Sequence, residues 1–259
     1  MEGKSSELNS VVAATKVPDS GKTFQHGILR RFVEAVMFSH DGDKTFFDPD
    51  SFSWVAKVEK EWITIRRELE SLMLKREEIP NFQDVSEAQK ALTEGEQWKT
   101  FWFYAYGEKA EDNCKRCPET VRVLQNIPGM KSAMFSILAP WKHIPEHRGM
   151  YKGVLRYHLG LIVPGGEGSC RIRVGNDVRC WKEGKSLIFD DSHPHEVWND
   201  CDSYRVVLFV DFLRPVPFPL SLLNRSIIWL IARTSSISEP MERVRKMGPA
   251  APKPIETKP

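Results

Sequence analysis

The sequence predicts a mainly β domain flanked by helices, and three observations carry that prediction. Residues 154–163 alternate strictly, with Leu155, Tyr157, Leu159 and Leu161 on one face and Arg156 and His158 on the other. This is the period of two expected of a strand, one face feeding a core and the other lining a polar cavity. Ser186 to Asp190 and Arg205 to Asp211 are further β-rich runs of strand length. Upstream of them, Val55, Val58, Trp62, Ile65, Leu69 and Leu72 recur at an alternating three-four spacing, which makes one stripe on a helix.

The chain has 259 residues and 41% hydrophobic content, enough for one large domain with extensions. Lys and Arg total 37 against 35 Asp and Glu, and the resulting +2 gives no electrostatic case for nucleic acid. The five cysteines lack the number and spacing of a disulfide framework, so reduced thiols and a cytoplasmic location are expected.

In chain order, residues 1–24 are small and polar with no apolar core of a signal peptide, and read as a disordered leader. Residues 25–95 form a helical support region. A short helix is expected within 24–47, followed by the striped helix, entered through Asp50, Ser51 or Ser53 and ending before Pro80. Residues 96–216 hold the β domain. It begins with the aromatic strand Trp98 to Tyr106, closed by Gly107, whose side chains are expected to pack rather than bind. Cys114 and Cys117 make a lone C-x-x-C pair without a second ligand pair, which argues against zinc. A helix from Pro118 to about Asn126, with proline at its first position, leads to the strand holding Ser136.

Between the last two β runs, Asn199-Asp200-Cys201-Asp202-Ser203 reads as a hairpin turn. Centred on Asp200, it predicts His195 and Arg205 as a cross-strand pair. Residues 217–247 form a C-terminal helical extension. Its segment Leu220 to Ala232 is too short to span a bilayer, and either packs on the barrel, the favoured reading, or makes peripheral membrane contact. Residues 248–259 read as a disordered tail.

The candidate site follows from cost. Ser136, His147, Arg156, His158, His195 and Arg205 are polar residues within or beside segments that otherwise read as buried strands. An unpaired buried charge is expensive, so an anionic or metallic partner is expected. No Ser/His/Asp constellation is present in this segment.

Several motifs in order carry a resemblance over Trp98 to Pro215. They are Phe135-Ser136-Ile137-Leu138, His147-Arg148-Gly149, Leu155-Arg156-Tyr157-His158-Leu159-Gly160-Leu161, Phe189-Asp190-Asp191-Ser192 and His195-Glu196-Val197-Trp198-Asn199. The chain resembles the aspartyl/asparaginyl β-hydroxylases, a family of iron(II) and 2-oxoglutarate dependent dioxygenases. The resemblance implies a double-stranded β-helix, or jelly-roll barrel. It implies His147 and His195 as iron ligands, Arg205 with Ser136 on the distal carboxylate of 2-oxoglutarate, and Arg156 and His158 as further cosubstrate contacts. Imidazole suits iron(II) and a planar guanidinium matches a carboxylate. Gly149 stands where many such oxygenases carry a ligating carboxylate. Asp190 or Asp191 could supply that missing carboxylate ligand, but a turn or ligand-orienting role is the preferred reading for both. The implied reaction is hydroxylation of an unactivated carbon with dioxygen, coupled to decarboxylation of 2-oxoglutarate. The substrate it implies is the β-carbon of an aspartyl or asparaginyl residue or a related amino acid. A lipid acyl chain is the alternative, and a non-catalytic carboxylate- or metal-binding member the third class.

Overall fold

The computed structural model describes residues 34–37, 42–85, 90, 92–93, 95–149, 151–233 and 242–243. The expected leader and tail lie outside these residues, as does most of the short helix expected within 24–47, of which 34–37 are helical.

Among the described residues, eleven strands make two antiparallel sheets: β1 (Phe46–Phe47), β2 (Trp98–Ala105), β3 (Glu108–Lys109), β4 (Met130–Leu138), β5 (His143–His147), β6 (Val154–Ile162), β7 (Cys170–Val174), β8 (Asp177–Cys180), β9 (Ser186–Phe189), β10 (His195–Asn199) and β11 (Arg205–Leu213). The larger sheet runs β1-β9-β6-β11-β4-β2-β3 and the smaller β5-β10-β7-β8. From β4 onward the chain passes back and forth between the sheets, as in a double-stranded β-helix. The expected jelly roll is therefore present. The support region also supplies β1, which pairs with β9.

Alternation sorts the larger sheet into two faces. Met134 and Leu138 of β4 and Val207 and Phe209 of β11 meet Ile172, Val174 and Val197 from the smaller sheet, filling the barrel. Phe101, Phe103, Phe135, Leu155, Tyr157, Leu159, Leu208 and Val210 point the other way, onto the helices. Both faces of β2 are thus covered by packing.

The helical stripe is borne out, and Val55, Val58, Ile65, Leu69 and Leu72 are all buried against the sheet. It is carried by two helices rather than one, α1 (Val55–Lys60) and α2 (Trp62–Met73). The break is at Glu61 (φ −91, ψ 3), whose N–H reaches Val58 O at 3.1 Å. None of the three expected caps serves either helix: Trp54 and Glu61 stand at the N-caps without a side-chain cap bond. The break sets Trp62 against Gly184 (φ +69), where a Cβ would lie 3.0 Å from the indole. Two short helices follow, α3 (Phe82–Val85) and α4 (Glu111–Arg116), then α5 (Pro118–Leu124), which starts at proline as expected. Cys114 and Cys117 are buried in the outer core, and burial pushes their thiols up to about 11 and about 12.

The expected hairpin is not there. β10 pairs with β5 and β7 in the smaller sheet, whereas β11 pairs with β4 and β6 in the larger one. Residues 200–204 carry the chain from one sheet to the other. Buried Asn199 holds that corner, its Nδ2 donating to Ala139 O at 2.8 Å and Ser203 O at 2.9 Å. The true partners are His195 with His147 and Val174, and Arg205 with Leu138. A turn-rich segment looks the same in sequence whether it folds back within a sheet or crosses between two.

The C-terminal helix α6 (Leu220–Ile231) buries Asn224, Ile227, Ile228 and Ile231. It packs on Tyr151 and Val154, in keeping with the favoured reading. Among the described residues no helix is long and apolar enough to cross a membrane.

Candidate active site

His147 ends β5 and His195 begins β10, and the register makes them direct partners. Their ring centroids lie 4.1 Å apart at an interplanar angle of 51°. His147 Nδ1 donates to Pro145 O at 2.8 Å and His195 Nδ1 to His193 O at 3.0 Å. A carbonyl accepts only from a protonated nitrogen, so both rings hold their proton at Nδ1 and present Nε2 as a lone-pair donor. Burial lowers the pKa of His147 to about 4 and that of His195 well below its ordinary value, with each neighbouring cation adding to the effect. Two adjacent neutral imidazoles fixed through Nδ1 have the donor chemistry that could hold a metal ion.

The carboxylate of Asp191 fills the place that a side chain at position 149 would take. A Cβ on Gly149 would lie 2.2 Å from Asp191 Oδ2, and Gly149 N donates to Asp191 O at 2.7 Å. Arg156 on β6 reaches Asp191 Oδ2 at 2.8 Å and Asp211 Oδ1 at 3.0 Å, its guanidinium 4.2 Å from the Phe209 ring centroid. Burial pushes the Asp191 carboxyl up to about 6, Arg156 opposing and Asp211 and Asp190 adding. Its Oδ1 is buried without a hydrogen-bond partner. Asp190 differs. Despite its burial, Arg214 and Lys152 hold its pKa below the usual value, Lys152 Nζ standing 2.8 Å away. Asp190 also accepts from Ser192 N at 3.0 Å, the turn role expected of it.

Deeper between the sheets, the inward residues of β4, β6 and β11 form a second cluster. Arg205 is 2% exposed, and its Nε and Nη1 have no partner. Burial lowers its pKa to about 10, which leaves it charged at neutral pH. His158, on β6, lacks a partner at both ring nitrogens, and burial together with Arg156 and Arg205 holds it neutral. Trp181 lies against both, 4.6 Å from the Arg205 guanidinium to its ring centroid and 5.8 Å from the His158 ring, and its Nε1 is also unpartnered. Ser136 accepts from Trp98 Nε1 at 3.0 Å, which leaves its own O–H to donate.

All six residues selected from the sequence are brought to the barrel interior or its rim. Arg156 differs from expectation in being held by two carboxylates. Sequence reasoning missed Trp181, which follows β8 in a segment without periodicity, and Asp211, which looked like one more residue of a strand. Among the described residues no group of three or more His, Cys, Asp and Glu side chains could hold a metal ion, which leaves the imidazole pair as the candidate centre.

The jelly roll thus encloses two facing imidazoles and a cluster of buried donors without partners. The model of the aspartyl/asparaginyl β-hydroxylase family matches residues 59–215. The chain belongs to this family of hydroxylases. It is 47% identical over 201 residues to the ornithine lipid ester-linked acyl 2-hydroxylase of Rhizobium tropici, an alignment covering 78% of this chain and 72% of that protein. It is 36% identical over 166 residues to the human aspartyl/asparaginyl β-hydroxylase, covering 62% of this chain but only 21% of that one. Among solved structures, the cupin domain of Schizosaccharomyces pombe Cnp3 aligns at 11% identity over 52% of this chain and 73% of that chain, with a TM-score of 0.33. At that score the fold assignment rests on the strand order given above.

Proposed function

We propose that this hydroxylase uses iron(II), 2-oxoglutarate and dioxygen, and that it acts on the acyl chain of a lipid at the carbon next to the carbonyl. The observation that carries the cosubstrate is the set of buried donors without partners, Arg205 Nε and Nη1 and Trp181 Nε1, with the two His158 nitrogens beside them. Leaving such groups unpaired costs about 1–3 kcal/mol each, more for a charge, unless a ligand pairs them. A dicarboxylate fits: Arg205 and the Ser136 hydroxyl would take its distal end, while His158 and Arg156 lie nearer the other. His147 and His195 would hold iron through Nε2, the nitrogens that their Nδ1 bonds leave free. Bound together, iron and 2-oxoglutarate would supply the activation of dioxygen that no side chain here provides. The protein's part is to bind, orient and exclude water. The neutral imidazoles need no proton removed before ligation.

The acyl substrate is supported by the 47% identity to the Rhizobium acyl 2-hydroxylase, over most of both chains. The 36% identity to the human relative supports a second reading, the β-carbon of an aspartyl or asparaginyl residue. Purified protein supplied with iron(II), 2-oxoglutarate and either an acyl lipid or an aspartyl peptide decides between them. The expected result is succinate release coupled to one oxygen gained by the acyl chain. Coupling to the peptide alone would replace the lipid reading, and absence of iron-dependent succinate with both would overturn the cosubstrate assignment.

A further inference from the structure

We infer that the exposed face of α6, with Phe218 beside it, docks the protein on a lipid bilayer carrying anionic headgroups, next to the active-site end of the barrel. The helix has two faces. Asn224, Ile227, Ile228 and Ile231 are buried against the barrel. On the other side Leu222 is 57% exposed, Trp229 56% and Leu230 46%, with Phe218 at 77% just before the helix. With 3.6 residues per turn, Leu222, Ser226, Trp229, Leu230 and Arg233 share this face, and Arg225 borders it.

Charge selects the occupant. No Asp or Glu stands between Asp211 and Glu239, whereas Arg225 and Arg233 are both exposed at the apolar face. Arg233 packs its guanidinium 3.3 Å from the Trp229 ring centroid and donates to Trp229 O at 3.0 Å. Lys131 lies near Arg225, whose charge joins burial in lowering the Lys131 pKa. Apolar side chains with tryptophan and arginine at their edge are the composition of a helix lying in a membrane interface. The basic groups then meet lipid phosphates.

The helix is tied to the site by short links. Asn224 Nδ2 donates to Gly153 O at 2.9 Å, and Gly153 permits this approach because a Cβ there would lie 2.1 Å from Asn224 Oδ1. β6 begins at the next residue, Val154, and two residues on is Arg156, which holds Asp191 beside Gly149. That separation is roughly 7 Å of strand. A protein docked through α6 would therefore bring the iron end of its barrel to where acyl chains are found. The docking deepens the acyl-lipid reading and takes its purpose from it, while its binding chemistry stands on the helix alone.

The test is co-sedimentation of the full chain with phosphatidylcholine vesicles, with and without phosphatidylglycerol. Wild type is expected to pellet with the anionic vesicles. Leu222→Ser with Trp229→Ser should weaken this on the order of a hundredfold. Arg225→Glu with Arg233→Glu should weaken it at least about tenfold and remove the preference for phosphatidylglycerol. Unchanged circular dichroism melts and unchanged hydroxylation of detergent-solubilised lipid are expected in both. Phe218→Ser, outside the helix, should also weaken binding and covers the case in which a helix variant fails to fold. Wild type that stays in the supernatant, or a dimer dissolved by the Leu222/Trp229 change, would overturn the docking. If wild type hydroxylates solubilised lipid without binding vesicles, only the docking falls; if it binds vesicles but hydroxylates no lipid, only the acyl substrate falls.

Discussion

Along β6, neighbouring residues on opposite faces of one strand meet very different treatment. Tyr157 turns to the helical side, where its hydroxyl accepts from Ser186 Oγ at 3.0 Å among buried apolar side chains. His158 turns into the barrel with no hydrogen bond at either nitrogen, near an Arg205 with two unpartnered nitrogens. On the outer face Tyr157 and Thr120 are paired within the protein, the latter with Glu68. The inner face holds donors without a partner in the protein. Buried polar groups in folded proteins are overwhelmingly paired, so this concentration of orphans supports the proposed ligand site. The outer face supports the fold, and the inner face is where the proposed chemistry would take place.

The comparison can be broken most severely at the imidazole pair. His195→Ala or His147→Ala should reduce iron-dependent succinate formation to background while leaving the far-ultraviolet circular dichroism intact. Substantial turnover in both variants would remove the proposed centre. On the other face, Phe103→Ala should cost about 3–5 kcal/mol in a denaturant titration, because a fully buried ring against Phe135 and Phe101 is lost. Its cosubstrate affinity, measured on the folded fraction, should not change.

The reverse outcome is expected inside the barrel. Arg205→Met removes an uncompensated buried charge and should raise the stability of the ligand-free protein by about 1–4 kcal/mol. A destabilisation of similar size would mean that Arg205 is already satisfied.

Acid gives a smaller test. His147, with its pKa lowered to about 4, and His158 and His195, both held well below the ordinary histidine value by burial, stay neutral in the fold while the unfolded chain takes up protons. Their contribution is full above the ordinary histidine value and is lost as pH falls below it, by at most about 1.4 kcal/mol per pH unit for each. Asp191, raised to about 6, acts oppositely between its ordinary value and that one, as a single group against three. The ligand-free midpoint should therefore fall as pH drops from neutral, and a His147→Gln variant should fall less steeply.

What was legible in the sequence was whatever one strand or helix encodes by itself. The alternation of 154–163 placed Arg156 and His158 inside, and the three-four stripe placed Ile65 and Leu69 on the sheet, because those patterns report directly which side of an element is buried. Relations between elements were not legible. The 195–205 segment lacks any mark of a crossing between sheets, so a hairpin register was expected where Asn199 turns a corner. Asp190 and Asp191 were equal candidates in sequence for a carboxylate missing at position 149, and that Asp191 is the one beside Gly149 could not be read, since that contact joins residues from separate loops. Trp181 escaped for the same reason: its role comes from Arg205 and His158, two other strands away in sequence.

The most direct measurement of the central claim is an anaerobic calorimetric titration of 2-oxoglutarate into the iron-loaded protein and its Arg205→Met variant. Saturable binding is predicted for the wild type. In the variant it should be weaker by about 2–3 kcal/mol, or roughly 30- to 150-fold, for the loss of a charge-assisted contact to a carboxylate. Equal affinity in the two proteins would contradict the claim that the unpartnered donors around Arg205 form the cosubstrate site.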